Sequence, residues 1–344
     1  MKKSPTILLL SKITLVLVFM VIIAGSVVRM SGSGMGCPDW PKCFGYYIPP
    51  TDIETLTFSE GKVFEKGKMV LLNDTLWVAT KDVQAGPVFN RSDWEKYARH
   101  DYAYYNPVHT WTEYINRLVG ATAGIPTFLL FVFSFLHLIK RKDIRTFIFA
   151  STTLFMLGFE AWLGKTVVDA ELLPFKITLH MLGSIVIVAL LIYLIKNHEE
   201  KALKQKSFST YWKVLSIIWV LIAGSQILLG TQVREAVDIV SNNIDDRWQW
   251  IDNLPSVFKF HRSFSLVIVA LLAWTYARSK GLLEVPKALK GIMIVAVIEI
   301  VVGIVLAYAG VPAFAQPIHL FFAIMWFAFT FSFMLTVWRK STTS

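Results

Sequence analysis

The sequence predicts an all-α polytopic membrane protein whose eight transmembrane helices form two pseudo-symmetric four-helix bundles. Three observations carry that reading. Of 344 residues, 55% are hydrophobic and only 17% charged, whereas a soluble chain carries about a quarter charged residues to cover its surface. Eight apolar runs are long enough to cross a bilayer, which takes about 20 helical residues for a hydrocarbon core of roughly 30 Å. One spacing of glutamate, glycine and histidine also occurs in both halves of the chain. The composition excludes disorder, collagen-like repeats and a disulfide-framework module. The net charge of +10 sits at the ends of the apolar runs, so it reads as a topology signal: lipid is the expected partner and nucleic acid is not.

The runs lie near 7–28, 112–139, 146–165, 175–195, 211–231, 260–277, 289–309 and 316–338. The first follows Lys2 and Lys3 as a signal peptide would, but its length and the lack of a small-x-small pattern before Arg29 mark a retained helix. Between runs two and three lie Lys140, Arg141, Lys142 and Arg145; between four and five, Lys196, Lys201, Lys204, Lys206 and Lys213; between six and seven, Arg278, Lys280, Lys287 and Lys290. With Lys2, Lys3, Lys12, Arg339 and Lys340, more than half of the 34 basic residues fall on one side. The positive-inside rule makes that side cytoplasmic, and both termini with it. The other side receives 30–106, 166–174 and 232–259. In the long outer segment, turn-rich patches flank a short hairpin expected around Met69–Thr80. Residues 91–105 are expected along the membrane surface, and no separate catalytic domain is read in the segment.

The internal repeat divides the chain into residues 1–200 and 201–344. Glu160-x3-Gly164 precedes His180, and Glu299-x3-Gly303 precedes His319, with 20 residues from glutamate to histidine and 16 from glycine to histidine in both cases. Gln226-x3-Gly230 is a related element in run five. Asn116-Arg117 in run two corresponds to His261-Arg262 in run six, and runs one and five end outside in Arg29 and Arg234. Two parallel four-helix halves explain the pattern.

Ionisable residues within a span are costly and usually functional. His180, His261 and His319 lie in the outer parts of runs four, six and eight, which all cross from outside to inside, so they share a depth. Two histidines on facing helices of a bundle clamp a heme iron from both faces. His261 and His319 make such a pair, with an interhelical hydrogen bond as the plainer alternative. The N-terminal half keeps His180, but Asn116 replaces the second histidine, and an amide oxygen is a poor iron ligand. That half is expected to hold a heme from one side, which suits a heme that must react and leave. Glu113 lies three residues before Asn116 on the same helix face, where the other half has Phe258. With Asn106 as N-cap and Pro107 as the first helical residue, His109, Glu113 and Asn116 form one stripe; a solvated interfacial histidine is the plainer reading of His109. Arg117 and Arg262 follow the ligand positions and suit bidentate pairing with heme propionates, while Arg29 and Arg234 suit snorkelling. His100, His137 and His198, in loops or at span ends, are given no role.

The only two cysteines, Cys37 and Cys43, fall in the outer segment, in an oxidising compartment where a disulfide is expected. Pro38, Pro41 and the nearby glycines bend the chain enough for it. A structural bridge and a redox-active pair both fit the sequence. A metal site fits less well, because no histidine or further cysteine is near.

These residues resemble the heme A synthase family. The run Gly32-Ser-Gly-x-x-Cys37-Pro-Asp-Trp-Pro-x-Cys43 is specific for it, and so is Glu113-Tyr-Ile-Asn-Arg117, where the family usually shows Glu-x-x-His-Arg. His180, His261 and His319 match the remaining family histidines, and the resemblance covers most of the chain apart from about 50–95. It implies oxidation of the C8 methyl group of heme O to the formyl group of heme A, through two hydroxylations and loss of water. It also implies a resident heme b between His261 and His319 with Arg262 beside it, a substrate heme near His180 with Asn116, Arg117 and His109 as candidate contacts, and Glu113 as the residue associated with catalysis. The implied setting is the bacterial inner membrane, with heme sites toward the outer side. The implied partners are the prenyltransferase that makes heme O and the assembly of cytochrome oxidase. Asn116 departs from the family pattern and leaves one-sided ligation by His180, a shifted His109 ligand, or lost activity; retention of Glu113 and of the cysteine segment argues against the last, and one-sided ligation is the preferred expectation. The alternative functions are a diheme b-type quinol-linked electron carrier and a heme-free transporter with a parallel repeat.

Overall fold

A computed structural model describes residues 3–98, 105–169, 174–199 and 207–339. Among them are eight helices long and apolar enough to cross a membrane: α1 (Pro5–Met30), α2 (Pro107–Arg141), α3 (Ile144–Asp169), α4 (Pro174–His198), α5 (Thr210–Ser241), α6 (Ser256–Ser279), α7 (Lys287–Tyr308) and α8 (Ala315–Trp338). Large apolar side chains such as Leu9, Val16, Phe155, Leu221, Leu266 and Ile294 are exposed on them. In water so many would be an aggregation hazard, whereas in lipid they face their own kind. The chain is an integral membrane protein, with its spans all helical because a helix satisfies every backbone group internally.

Helix boundaries follow the local chemistry. The Asn106 side chain accepts hydrogen bonds from the backbone N–H of Val108 at 2.9 Å and of His109 at 3.3 Å, capping α2 as the Asn-Pro pair predicts. The 35 residues of α2 make it roughly 52 Å long at 1.5 Å per residue, more than a bilayer core needs. Helix α5 also outruns its predicted end near 231 by ten residues and reaches Ser241. The extension pairs Arg234 with Asp238 at 2.7 Å and buries Ala236 and Val237 with Leu254, Phe258 and Val311, so apolar burial continues the helix where the sequence reads as loop.

The chain divides into two compact units. One comprises Met1–Ile23, Thr122–Glu160 and Thr178–Ser344, the other Ala24–Ala121 and Ala161–Ile177. The first has a continuous apolar core running through parts of all eight helices. Trp219 on α5 is fully buried against Trp326 on α8, ring centres 5.8 Å apart, and Phe19 on α1 meets Phe321 on α8 at 5.7 Å. At the end where α1 begins and α4 finishes, a polar knot ties three helices together. The Ser4 backbone N–H donates to His198 Nδ1 at 3.1 Å, and Thr146 Oγ1 lies 3.0 Å from His198 Nε2 while donating to Asp143 at 3.0 Å. His137 stands edge-on to His198 at 5.8 Å. His137 and His198, given no role from sequence, therefore help hold helix ends together; His100 lies outside the described residues.

The second unit contains the outer segment, which is more ordered than its sequence suggests. Strands β1 (Val63–Phe64) and β4 (Val83–Gln84) form one antiparallel pair, and β2 (Met69–Leu72), β3 (Thr75–Ala79) and β5 (Trp94–Lys96) form a three-stranded antiparallel sheet in the order β2-β3-β5. The predicted hairpin is β2–β3, turned by Asn73 and Asp74, both at positive φ, as the twist of a two-residue hairpin requires. Residues 94–96, expected along the membrane surface, are instead a strand: Trp94 is buried with Phe64, Val70 and Ala79 in a small aromatic core, and that burial outweighs the pull of an interface.

Candidate functional site

Within the first unit, His261 in the second turn of α6 and His319 in the second turn of α8 have ring centres 6.4 Å apart and planes perpendicular. That separation can be tested against a clamped metal. With a metal–nitrogen bond of about 2.0–2.1 Å and roughly 1.1 Å from nitrogen to ring centre, two imidazoles on one ion have centres about 6.3 Å apart. The spacing therefore fits, and the donor set, two imidazoles, suits heme iron. His261 Nδ1 is buried without a hydrogen-bond partner, and bare glycines face both rings. A Cβ at Gly230 would lie 3.6 Å from His261 Cε1, and one at Gly303 3.5 Å from His319 Cε1. Arg262, exposed at the surface, lies over the Phe258 ring at 5.5 Å.

The repeated glutamates meet the histidines. Glu299 Oε2 is 3.0 Å from His319 Nδ1 and Glu160 Oε2 is 2.5 Å from His180 Nδ1. None of these four atoms makes an aligned hydrogen bond, so the contacts are close oxygen–nitrogen approaches. Gln226, the third member of the pattern, directs its amide nitrogen to the His261 backbone carbonyl at 3.5 Å, and its amide oxygen is buried without a partner. The sequence shows this repeat but not that its acidic and amide members face the rings.

In the second unit, the part of α2 from Thr110 to Arg117 braces the cysteine segment. Cys37 and Cys43 are joined in a disulfide, both fully buried. The Cys37 backbone N–H donates to Glu113 Oε2 at 2.9 Å. Arg117 donates to Glu113 Oε1 at 2.5 Å and to the backbone carbonyls of Asp39 and Lys42, both at 2.9 Å. Thr110 donates to the Gly36 carbonyl at 2.8 Å. Gly36 has to be glycine for this contact, since a Cβ there would come 2.4 Å from the His109 carbonyl oxygen. Burial pushes the Asp39 carboxyl above its ordinary range, against the N–H of Gly45, which donates to it at 2.9 Å and pulls the other way. The Arg117 guanidinium, read from sequence as a propionate partner, thus spends at least three hydrogen bonds on the segment and on Glu113.

Asn116 faces Gly25 on α1, whose Cβ would lie 3.7 Å from Asn116 Oδ1, and that oxygen is buried without a partner. Gly25, missed in the sequence, stands to Asn116 as Gly230 stands to His261, and each glycine precedes an arginine by four residues, Arg29 and Arg234. His109 Nδ1 lies 3.2 Å from the Gly32 carbonyl and 3.3 Å from Ser33 Oγ, so that edge of the ring is tied to the segment. Seven residues of helix separate it from Asn116, about 10 Å along the axis, so it does not share the depth of that position.

Residues 9–81 and 66–331 match a protein family, COX15-CtaA, described as cytochrome oxidase assembly protein. The chain belongs to that family. The chain is also similar to curated proteins named heme A synthase. One from Shewanella oneidensis is 23% identical over 71% of this chain, and the match spans 62% of that protein's length. One from Rickettsia canadensis is 24% identical over 91% of this chain and 92% of its own length. One from Flavobacterium johnsoniae is 24% identical over 81% of this chain and 80% of its own. The family assignment agrees with the resemblance carried by the cysteine segment and by Glu113-x3-Arg117, and the structure packs these two motifs against each other.

Proposed function

We propose that the chain is a heme A synthase, an oxidoreductase that converts the C8 methyl group of heme O to the formyl group of heme A. The observation that carries this reading is the His261–His319 pair, spaced for a six-coordinate iron, in a chain whose corresponding α2 position offers an amide. The C-terminal half, 201–344, holds a resident heme b between His261 and His319, with Arg262 near its propionates. When bound, that heme supplies one-electron redox chemistry suited to carrying away the electrons of the oxidation. His180 is the iron ligand for the substrate heme O in the N-terminal half, 1–200, and Asn116 supplies no second one, consistent with a substrate that has to leave.

Two hydroxylations, each taking its oxygen from water and releasing two protons and two electrons, turn the methyl into a geminal diol, which loses water to give the formyl group. The four electrons that leave the carbon pass to an external electron acceptor. Glu113, a buried carboxylate, is the residue assigned to proton handling near the methyl group. Its contacts with Arg117 and the Cys37 N–H support a fixed orientation. The setting proposed is the bacterial inner membrane with both termini cytoplasmic, a prenyltransferase supplying heme O, and cytochrome oxidase assembly consuming the product. The test is extraction of the hemes from purified protein. Heme B together with heme O or heme A is expected; heme B alone at two per chain would instead indicate a diheme electron carrier, and a colourless protein would end the proposal.

A further inference from the structure

We propose that Glu299 and Gln226 are positioning residues that set the electronic character of the two imidazoles on the resident heme, and that Glu160 plays the part of Glu299 for His180. This rests on the heme reading above and deepens it. Each of the three residues lies four positions before a glycine on the helix that precedes a histidine helix: Glu160 before Gly164, Gln226 before Gly230 and Glu299 before Gly303. The two glutamates place a carboxylate oxygen at 2.5 and 3.0 Å from Nδ1 of His180 and His319. A carboxyl oxygen so close favours the proton on Nδ1, which leaves Nε2 as the nitrogen open to a metal. Its polarising effect on the Nδ1 edge also makes the ring a stronger donor.

The seats of the two glutamates are built differently. A Cβ at Gly183, one turn after His180 on α4, would fall 1.8 Å from Glu160 Oε1, so the bare backbone at 183 makes room for this carboxylate. The equivalent position after His319 is Phe322, and the contact there is the longer of the two. His261 has no carboxylate in this role. Gln226 reaches its backbone carbonyl, and the amide oxygen and His261 Nδ1 are both buried and unpartnered, which makes them natural partners for each other. A neutral amide polarises the ring less than a carboxylate. The resident heme would thus have one electron-rich and one ordinary ligand, with its potential lowered from the His319 side, because a more strongly donating ring stabilises the oxidised iron.

The experiment is redox titration of heme b in the purified full-length protein, followed by its low-spin absorption spectrum. Glu299→Gln should keep the spectrum and move the reduced-to-oxidised ratio at a fixed potential about tenfold toward reduced, about 59 mV for one electron. Gln226→Glu should move it in the opposite direction. Glu160→Gln, remote in sequence from this ligand pair, should leave the resident-heme potential where it is. Retained heme with an unmoved potential in Glu299→Gln overturns the proposal, as does a Glu160→Gln shift equal to that of Glu299→Gln, which would point to a general structural effect. If Glu299→Gln does not accumulate, Gln226→Glu decides, and heme retained there without a downward shift overturns the proposal. Wild-type protein without heme b would instead defeat the functional reading on which this rests.

Discussion

Helices α2 and α6 carry the same three positions with different residues, Glu113, Asn116 and Arg117 on one and Phe258, His261 and Arg262 on the other. On α6 the arginine lies over an aromatic ring and the middle residue is an imidazole facing His319. On α2 the arginine is bound by a carboxylate and by two carbonyls of the disulfide segment, and the middle residue is an amide with no partner for its oxygen. The glycine opposite survives in both, Gly25 and Gly230. One scaffold has thus been turned to two ends. On the function proposed above, the α6 version would provide a metal ligand and needs only an apolar shelf for its arginine, whereas the α2 version would give up the ligand and has a buried carboxylate fixed by the outer segment.

The sharpest way to break this comparison is to remove the proposed ligand on α6 or its partner on α8. His261→Ala or His319→Ala should abolish the low-spin heme b spectrum altogether, and an unchanged spectrum would remove the C-terminal assignment. The reverse exchange sharpens it. Asn116→His gives α2 the residue that α6 has and should raise the amount of heme retained per chain while slowing product release; heme content equal to wild type would count against the amide as the reason for loose binding.

Glu113 separates structure from chemistry. Glu113→Ala leaves the Cys37 N–H and the Arg117 guanidinium without their acceptor, a cost of about 3 kcal/mol for a half-emptied buried pair, and faster proteolysis within 30–106 should report it. Glu113→Gln keeps the shape and one acceptor but turns an NH2 toward the other donor, so the segment should lose less protection than in Glu113→Ala while conversion of heme O stops. Full conversion by that variant would reduce Glu113 to a brace. The smallest effect is expected from Phe258→Leu, which removes the ring beneath Arg262. It should cost on the order of 1 kcal/mol from the lost cation–π contact and trimmed packing, read as a modest fall in thermal midpoint with heme b still bound.

Much of this was legible beforehand because it is local. A run of twenty apolar residues has one stable solution in lipid, Asn106-Pro107 marks a helix start whatever lies beyond it, and Asn73-Asp74 between two β-rich stretches calls for a tight hairpin. What escaped reading depended on partners far away in sequence. The extension of α5 to Ser241 exists because Ala236 and Val237 find Leu254, Phe258 and Val311. Strand β5 exists because Trp94 finds an aromatic core, and His198 acquires a role only when the Ser4 N–H and Thr146 arrive beside it. Arg117 looked like a ligand for an anionic group, and its use on Asp39 and Lys42 follows from where the disulfide segment folds back.

By itself the sequence determined that this chain lives in a membrane, how many times it crosses, where its spans begin, and that its two halves share a pattern of glutamate, glycine and histidine. Those properties follow from the dislike of apolar groups for water and from backbone hydrogen bonding, and both act along a contiguous stretch. Tertiary structure alone decided which of the other patterned groups meet: Glu299 with His319, Glu160 with His180, and Glu113 with the Cys37 amide. Each residue added to a helix turns the next side chain by about 100°, so such meetings depend on the rotation of two helices at once, and spacing along one chain does not fix that rotation.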